Sequence, residues 1–193
     1  MKKVLVMMMV ALAAIISTGC SKEDQPTSDQ MIELDATSKT TWHYYSLKDG
    51  KVIGTGEETE ADNKAWASRK DWDIAIMRFY VKTNSGTSGQ GKGGVYTCKE
   101  DVTFDGLTSA SMPESEFVAD ELVTEDTMSG GQKTTSKSKA VVSVMKGMPP
   151  TWLKSPIYVF RSADGNDKFK IEFLSYKNEE GESGHVSFNL AAL

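Results

Sequence analysis

From Thr40 onward the apolar positions fall into short alternating runs, and alternation predicts strands rather than helices. Thr41-Trp42-His43-Tyr44-Tyr45-Ser46-Leu47 is aromatic and β-prone. Asp49-Gly50 follows as a hairpin signal, and Val52-Ile53-Gly54 begins the return strand. Between residues 72 and 81, Trp72, Ile74 and Ile76 lie on one side. Ala75, Met77, Phe79 and Val81 lie on the other, so one strand buried on both faces is expected, with Met77 in the core. Residues 94–98, 140–146, 158–162, 168–176 and 185–190 read as further strands, with turns at Asp164-Gly165 and Glu180-Gly181. Helical patterning is confined to residues 61–70 and 114–123. A glycine-rich loop occupies 84–94, and no repeat of fixed period is present. The expected fold is all-β: one antiparallel, hairpin-rich domain with at most one or two short helices.

The first 40 residues follow a different pattern. Lys2 and Lys3 precede an unbroken apolar run from Val4 to Ile16, then Ser17-Thr18-Gly19-Cys20. A charged start, a short apolar stretch and small residues form a signal peptide; the run falls short of the ~20 residues of a membrane span. A Cys directly after the small residues suggests a bacterial lipoprotein signal, with Cys20 acylated and first in the mature chain. Acyl chains anchor through ~0.8 kcal/mol per buried methylene. The polar residues after it, including Pro26, read as a tether. The expected divisions are a signal peptide over 1–19, lipidated Cys20 with a flexible tether over 20–39, and a β domain over 40–193.

Composition narrows the function classes. Removing residues 1–19 from 193 leaves 174, enough for one domain with a real core. The leader takes Lys2 and Lys3 with it, so the formal charge moves from −5 to −7. An acidic domain lacks the basic face that nucleic acid requires. With Cys20 lipidated, Cys98 has no thiol partner for a disulfide, and it reads as a small buried apolar side chain.

Catalytic signatures are missing. The only two histidines, His43 and His185, sit in expected strands beside apolar alternation and read as strand residues. No Gly-x-Ser-x-Gly elbow occurs. Gly91-Lys92 is followed by Gly93 rather than Ser or Thr, so the glycine-rich loop is not a phosphate loop. No spacing singles out a carboxylate pair for glycoside chemistry. A binding protein, not an enzyme, is expected.

Several segments taken in order resemble a known family. They are Trp42-His43-Tyr44-Tyr45-Ser46-Leu47 with Gly50, Asp71-Trp72-Asp73-Ile74-Ala75, and Thr83-Asn84-Ser85-Gly86 with the glycines to Gly94. Met148-Pro149-Pro150, residues 158–165, and Tyr176 with Gly181 and Gly184-His185-Val186-Ser187-Phe188 complete the set. Across roughly residues 41–190 the chain resembles the HmuY-like family of haem-binding surface lipoproteins. Ser21-Lys22-Glu23-Asp24-Gln25 likewise resembles the lysine-plus-acidic tag of Bacteroidetes-type lipoproteins on the outer face of the outer membrane. The resemblance implies a hand-shaped β fold that grips haem, taken free or from haem-carrying host proteins, between finger-like hairpins. It also implies transfer of haem to a TonB-dependent outer-membrane receptor. The family's founding member holds iron with two histidines. In the corresponding regions this chain has Met112 and Met145, and Met-ligated members of the family exist.

Thioether sulfur is an established axial ligand for haem iron. It is softer than imidazole and carries no proton that titrates near neutrality. Met112 lies in a polar loop without apolar periodicity; Met145 follows Val141 and Ser143 on the less apolar face of its run. Met128 and Met148 are the rival ligands, and gap-filling in the core is the alternative role for any of the four. Residues 132–139 are polar and basic, and Lys133 and Lys137 are candidate partners for the haem propionates. Two other functions compete: a carbohydrate- or protein-binding surface using Trp and Tyr as a stacking platform, and a relative of this fold that takes another tetrapyrrole or a host protein.

Overall fold

The computed structural model describes residues 29–127, 129–141 and 156–193. Eleven strands and one short helix are described: β1 (Gln30–Asp35), β2 (Thr41–Ser46), β3 (Lys51–Glu57), α1 (Glu60–Ala67), β4 (Ile74–Met77), β5 (Tyr80–Thr83), β6 (Gly94–Thr97), β7 (Glu121–Asp126), β8 (Gln132–Lys137), β9 (Tyr158–Arg161), β10 (Lys168–Lys177) and β11 (Ser183–Ala192). They make a five-stranded sheet in the order β1-β11-β10-β9-β6, a four-stranded sheet in the order β3-β2-β4-β5, and a two-stranded ribbon of β7 and β8. All pairings are antiparallel. The fold is mostly antiparallel β in a single domain, as the alternation implies.

The two larger sheets pack face to face. Ile32 and Leu34 of β1, Phe169, Ile171 and Phe173 of β10, and Val186, Phe188 and Leu190 of β11 meet Tyr45, Ile74, Ile76 and Val81 of the four-stranded sheet. Tyr45 meets Phe188 edge-on, with ring centroids 5.9 Å apart. β4 is buried on both faces, and the second face of its sheet is closed by α1. Thr59 caps that helix by accepting from the Asp62 amide. Trp66 then lies flat on Tyr44, with centroids 3.8 Å apart and planes 5° from parallel. Gly54 and Gly56 make room for the indole, since a Cβ at either would come within 2.7 Å of it. Met77 is fully buried beneath this layer and Cys98 is buried behind β6, as expected of both.

Four elements differ from the sequence reading. Residues 72–81 are not one strand: Arg78, at φ 55°, turns the chain so that Met77 pairs with Tyr80. No glycine or Asn-Gly pair marks that turn. Residues 114–123 are not a helix but a single 3₁₀ turn, Glu114–Glu116, followed by the start of β7. Gln30–Asp35, read as tether, forms an edge strand, because Ile32 and Leu34 point inward between exposed Glu33 and Asp35. Residues 140 and 141 lie outside any strand, and the rest of the run expected at 140–146 is outside the described residues.

The glycine-rich loop wraps one buried side chain. Asn84 Nδ2 donates to the carbonyls of Arg69 and Trp72 at 2.9 and 3.0 Å, and Oδ1 accepts from the Gly91 amide at 3.0 Å. A Cβ at Gly89 would stand 2.1 Å from Oδ1, so glycine there permits the close approach. Replacing Asn84 with Ala strands two carbonyls and one amide in the interior. Asn84→Ala is expected to cost about 3 kcal/mol, read as a fall in the urea midpoint at unchanged slope.

Candidate ligand-binding site

The ribbon of β7 and β8 leaves the sandwich at a polar junction. Asp120, buried just before β7, accepts from the Thr83 amide (2.8 Å), the Thr83 hydroxyl (2.7 Å) and the Ser88 hydroxyl (2.6 Å). Its own amide donates to the Ser85 hydroxyl. A Cβ at Gly86 would sit 2.0 Å from the Asp120 carbonyl oxygen, so the loop approaches in a way only glycine allows, at φ 54°. On the second ribbon strand, Ser136 bonds both Thr87 and Ser88, and the Ser138 amide donates to the Val81 carbonyl. The ribbon is thus fixed to β5 from both of its strands.

One face of the ribbon looks back at the sandwich across a cleft of about 150 Å³. Its walls include Phe79 and Tyr80 from the β4–β5 turn, Val123 and Lys137 from the ribbon, and Val141. Phe79 packs on Tyr80, with centroids 4.5 Å apart, and meets Tyr176 edge-on. Behind them Arg78 Nη1 donates to the carbonyls of Thr37 and Ser183, so the turn is held from the opposite sheet. Lys137 is nearly buried; its Nζ lies 4.2 Å from the Tyr80 ring centroid and 2.6 Å from Glu125 Oε1. Burial and the nearby Glu125 carboxylate push Tyr80 up to about 12. The cleft therefore sets aromatic and aliphatic side chains beside two ammonium groups, a carboxylate and a phenol.

Two larger cavities have the opposite electrostatics. One of about 570 Å³ is lined by Glu100, Asp105 and Glu172, and another of about 470 Å³ by Glu33, Asp35, Glu179 and Glu180. Carboxylate linings disfavour an anionic ligand, so size alone does not mark the site.

A family model for the HmuY protein matches residues 38–190. The chain belongs to the HmuY family. No curated protein matches it. Among solved structures it is similar to a candidate lipoprotein of Bacteroides fragilis, at 25% identity and TM-score 0.63 over 86% of this chain and 92% of that one. It is also similar to a candidate HmuY-like haem-binding protein of Bacteroides vulgatus, at 24% identity and TM-score 0.64 over 85% and 91%. An apo HmuY analogue of Tannerella forsythia matches at 23% identity and TM-score 0.58 over 84% and 94%. The fold of this chain is the HmuY fold.

Within that fold the sequence candidates separate. Lys137 lines the cleft; Lys133 sits on the same ribbon face, directly opposite Glu125 in the register. Met112 is half-buried and packs with Cys98, Phe104, Phe117 and Val159 on the outer face of the five-stranded sheet. The loop reading gave Met112 no packing role, and the structure supplies one. Cys20, Met128, Met145 and Met148 lie outside the described residues. His43 is on β2, where burial lowers its pKa against the pull of Asp35, and His185 Nε2 lies 3.8 Å from Glu182. Neither lines the cleft. Trp42, Trp66 and Trp72 are buried, so none of them provides an exposed stacking platform. Among the described residues no helix is long and apolar enough to cross a membrane. No group of three His, Cys, Asp or Glu there is arranged to hold a metal ion.

Sequence reasoning passed over Asp120 and Tyr80. A lone Asp before a strand carries no local signal, and Tyr80 was subsumed in a strand that is really a hairpin. Burial, opposed by its hydrogen bonds, raises Asp120 to about 6. A carboxyl raised in the fold favours the folded state while protonated, and that contribution is lost as pH rises from about 4 to 6. Asp120→Asn removes the titration. Its destabilisation is expected to be about 2 kcal/mol larger at pH 4.5 than at pH 7, measured as urea midpoints at the two pH values.

Proposed function

We propose that this chain is a surface lipoprotein that captures haem and has no turnover of its own. The observation that carries the reading is the cleft between the ribbon and the β4–β5 turn, where aromatic and aliphatic walls end in a lysine. Haem has that character: a flat apolar ring with two carboxylates on one edge. At about 150 Å³ the described walls enclose part of such a ligand, since complete small-molecule sites run to roughly 300–1,000 Å³. Membership of the HmuY family, and the haem-binding name of the Bacteroides vulgatus neighbour, support the same ligand.

Lys137 holds a propionate in this reading, and Lys133 adds a second positive charge on the same ribbon face. Thioethers ligate the iron, drawn from Met112, Met128, Met145 and Met148. The packing of Met112 favours a structural role for it and leaves the pair among the other three. Acylated Cys20 anchors the domain to the outer membrane, and a TonB-dependent receptor takes the haem onward.

Titrating the purified domain with haem is expected to give a saturable, shifted Soret band, and its absence would overturn the proposal. Ferrous haem is expected to bind more tightly than ferric, because thioether sulfur prefers the softer, reduced iron. Tighter ferric binding would exclude ligation by two methionines. Among single Met→Ala variants, two of those at 128, 145 and 148 are expected to lose the spectrum of the bound iron. Met112→Ala is expected to keep it and to lower stability by about 1–2 kcal/mol. A changed spectrum in Met112→Ala would restore Met112 as a ligand.

A further inference from the structure

Lys137 is already paired before any ligand arrives, and its partner has somewhere else to go. Its side chain is 11% exposed, and its ammonium stands 2.6 Å from Glu125 Oε1. Glu125 is 46% exposed at its side chain and lies near enough to the Tyr80 phenol to raise its pKa, so a single carboxylate bears on both polar groups at the rim. Across the ribbon, Glu125 is directly opposite Lys133, one of the neighbour positions through which strands pair charges. Lys139, the other lysine of the cleft, is engaged separately by Glu121 at 2.7 Å.

We propose that Glu125 stands in for the ligand's carboxylate: an arriving carboxylate takes the Lys137 ammonium and the Tyr80 hydroxyl, and Glu125 moves to Lys133. The exchange conserves ion pairs. Lys137 is never left buried without a counter-charge, which would be costly in the empty protein. The leaving group is the exposed partner, which water solvates readily, and Lys133 receives it without a change of ribbon register. Glu125 then sets a threshold. A ligand must bring a carboxylate to open the rim, so a neutral planar compound meets the closed ion pair. The inference rests on the haem-binding reading and adds to it the group that selects acidic ligands.

The test compares haem with haem dimethyl ester, which keeps the iron and ring but has no carboxylate, by quenching of tryptophan fluorescence at fixed ionic strength. Glu125→Gln removes the competitor and is expected to bind haem about 5-fold more tightly, the scale of one partly exposed ion pair, with ester affinity within about twofold of wild type. Lys137→Met is expected to weaken haem binding about 5-fold and to abolish the gain from Glu125→Gln when the two are combined. Asp126→Asn, which removes the same charge from the ribbon end, is expected to change haem affinity less than twofold. Unfolding curves of the empty variants show that each still folds. If Glu125→Gln leaves haem affinity unchanged, weakens it, or tightens the ester equally, the exchange is wrong while haem binding stands. If wild type binds neither compound, both the exchange and the haem-binding reading fall.

Discussion

The buried carboxylate of Asp120 fixes where the ribbon leaves the sandwich. It collects β5 and the glycine-rich loop into one set of hydrogen bonds just ahead of β7, and among the described residues no cation bonds it directly. Two adjoining features depend on this knot. Gly86 lets the loop come close enough to meet it, and Ser136 ties the returning strand to the same loop through Ser88. With both ribbon strands fixed at their base, the side chains on the inner ribbon face have a defined distance to the β4–β5 turn. Lys137 consequently lands on Tyr80 instead of in water. Most of the ribbon is exposed, and an isolated two-stranded hairpin is marginal in water, so the polar base supplies what a hydrophobic face does elsewhere.

An acidic domain is an unexpected receiver for the dianionic haem we propose as its ligand, and the distribution of charge answers the objection. Negative side chains gather along the two larger cavities, while the ribbon sets an acidic strand, β7, against a basic one, β8. Its inner face pairs Glu121 opposite Lys137 and Glu125 opposite Lys133 in the register, yet the short contacts run diagonally, Lys137 to Glu125 and Lys139 to Glu121. Diagonal pairing in a twisted ribbon leaves Lys133 opposite a carboxylate that is already engaged. Local pairing of this kind, rather than net charge, decides what the cleft attracts.

Much of the fold was legible in residues 41–47, 168–176 and 185–190: β11 alternates buried Val186, Phe188 and Leu190 with half-exposed neighbours, and β2 is aromatic on both faces because Tyr44 packs under α1 while Tyr45 faces the other sheet. The misses share a physical cause. β1 has only two inward apolar residues, Ile32 and Leu34, and its outward Glu33 and Asp35 made it look like linker. The β4–β5 turn rests on Arg78, whose left-handed conformation is stabilised by carbonyls of the other sheet, a contact that no local pattern announces. The ribbon strand β8 is almost wholly polar, held by cross-strand threonine and ion pairs, so hydrophobic periodicity could not find it. Lys137 was visible as part of a basic stretch; its company of Tyr80 and Glu125 required the hairpin to be known. Met112 looked idle in sequence because its packing partners, Cys98 and Phe117 among them, come from separate segments.

The strand β1 also shortens the leash. Counting it as structure leaves nine residues, 21–29, between Cys20 and Gln30, a contour of at most about 35 Å including both ends. The chain enters the sandwich at Gln30, beside Leu190, while Arg78 reaches Thr37 just beyond the far end of the same strand. The cleft beside Arg78 therefore stands a strand's length, roughly 17 Å, farther from the entry point. With the proposed acyl anchor on Cys20, the entry point at Gln30 would lie within that contour of the lipid, and the cleft one strand beyond it.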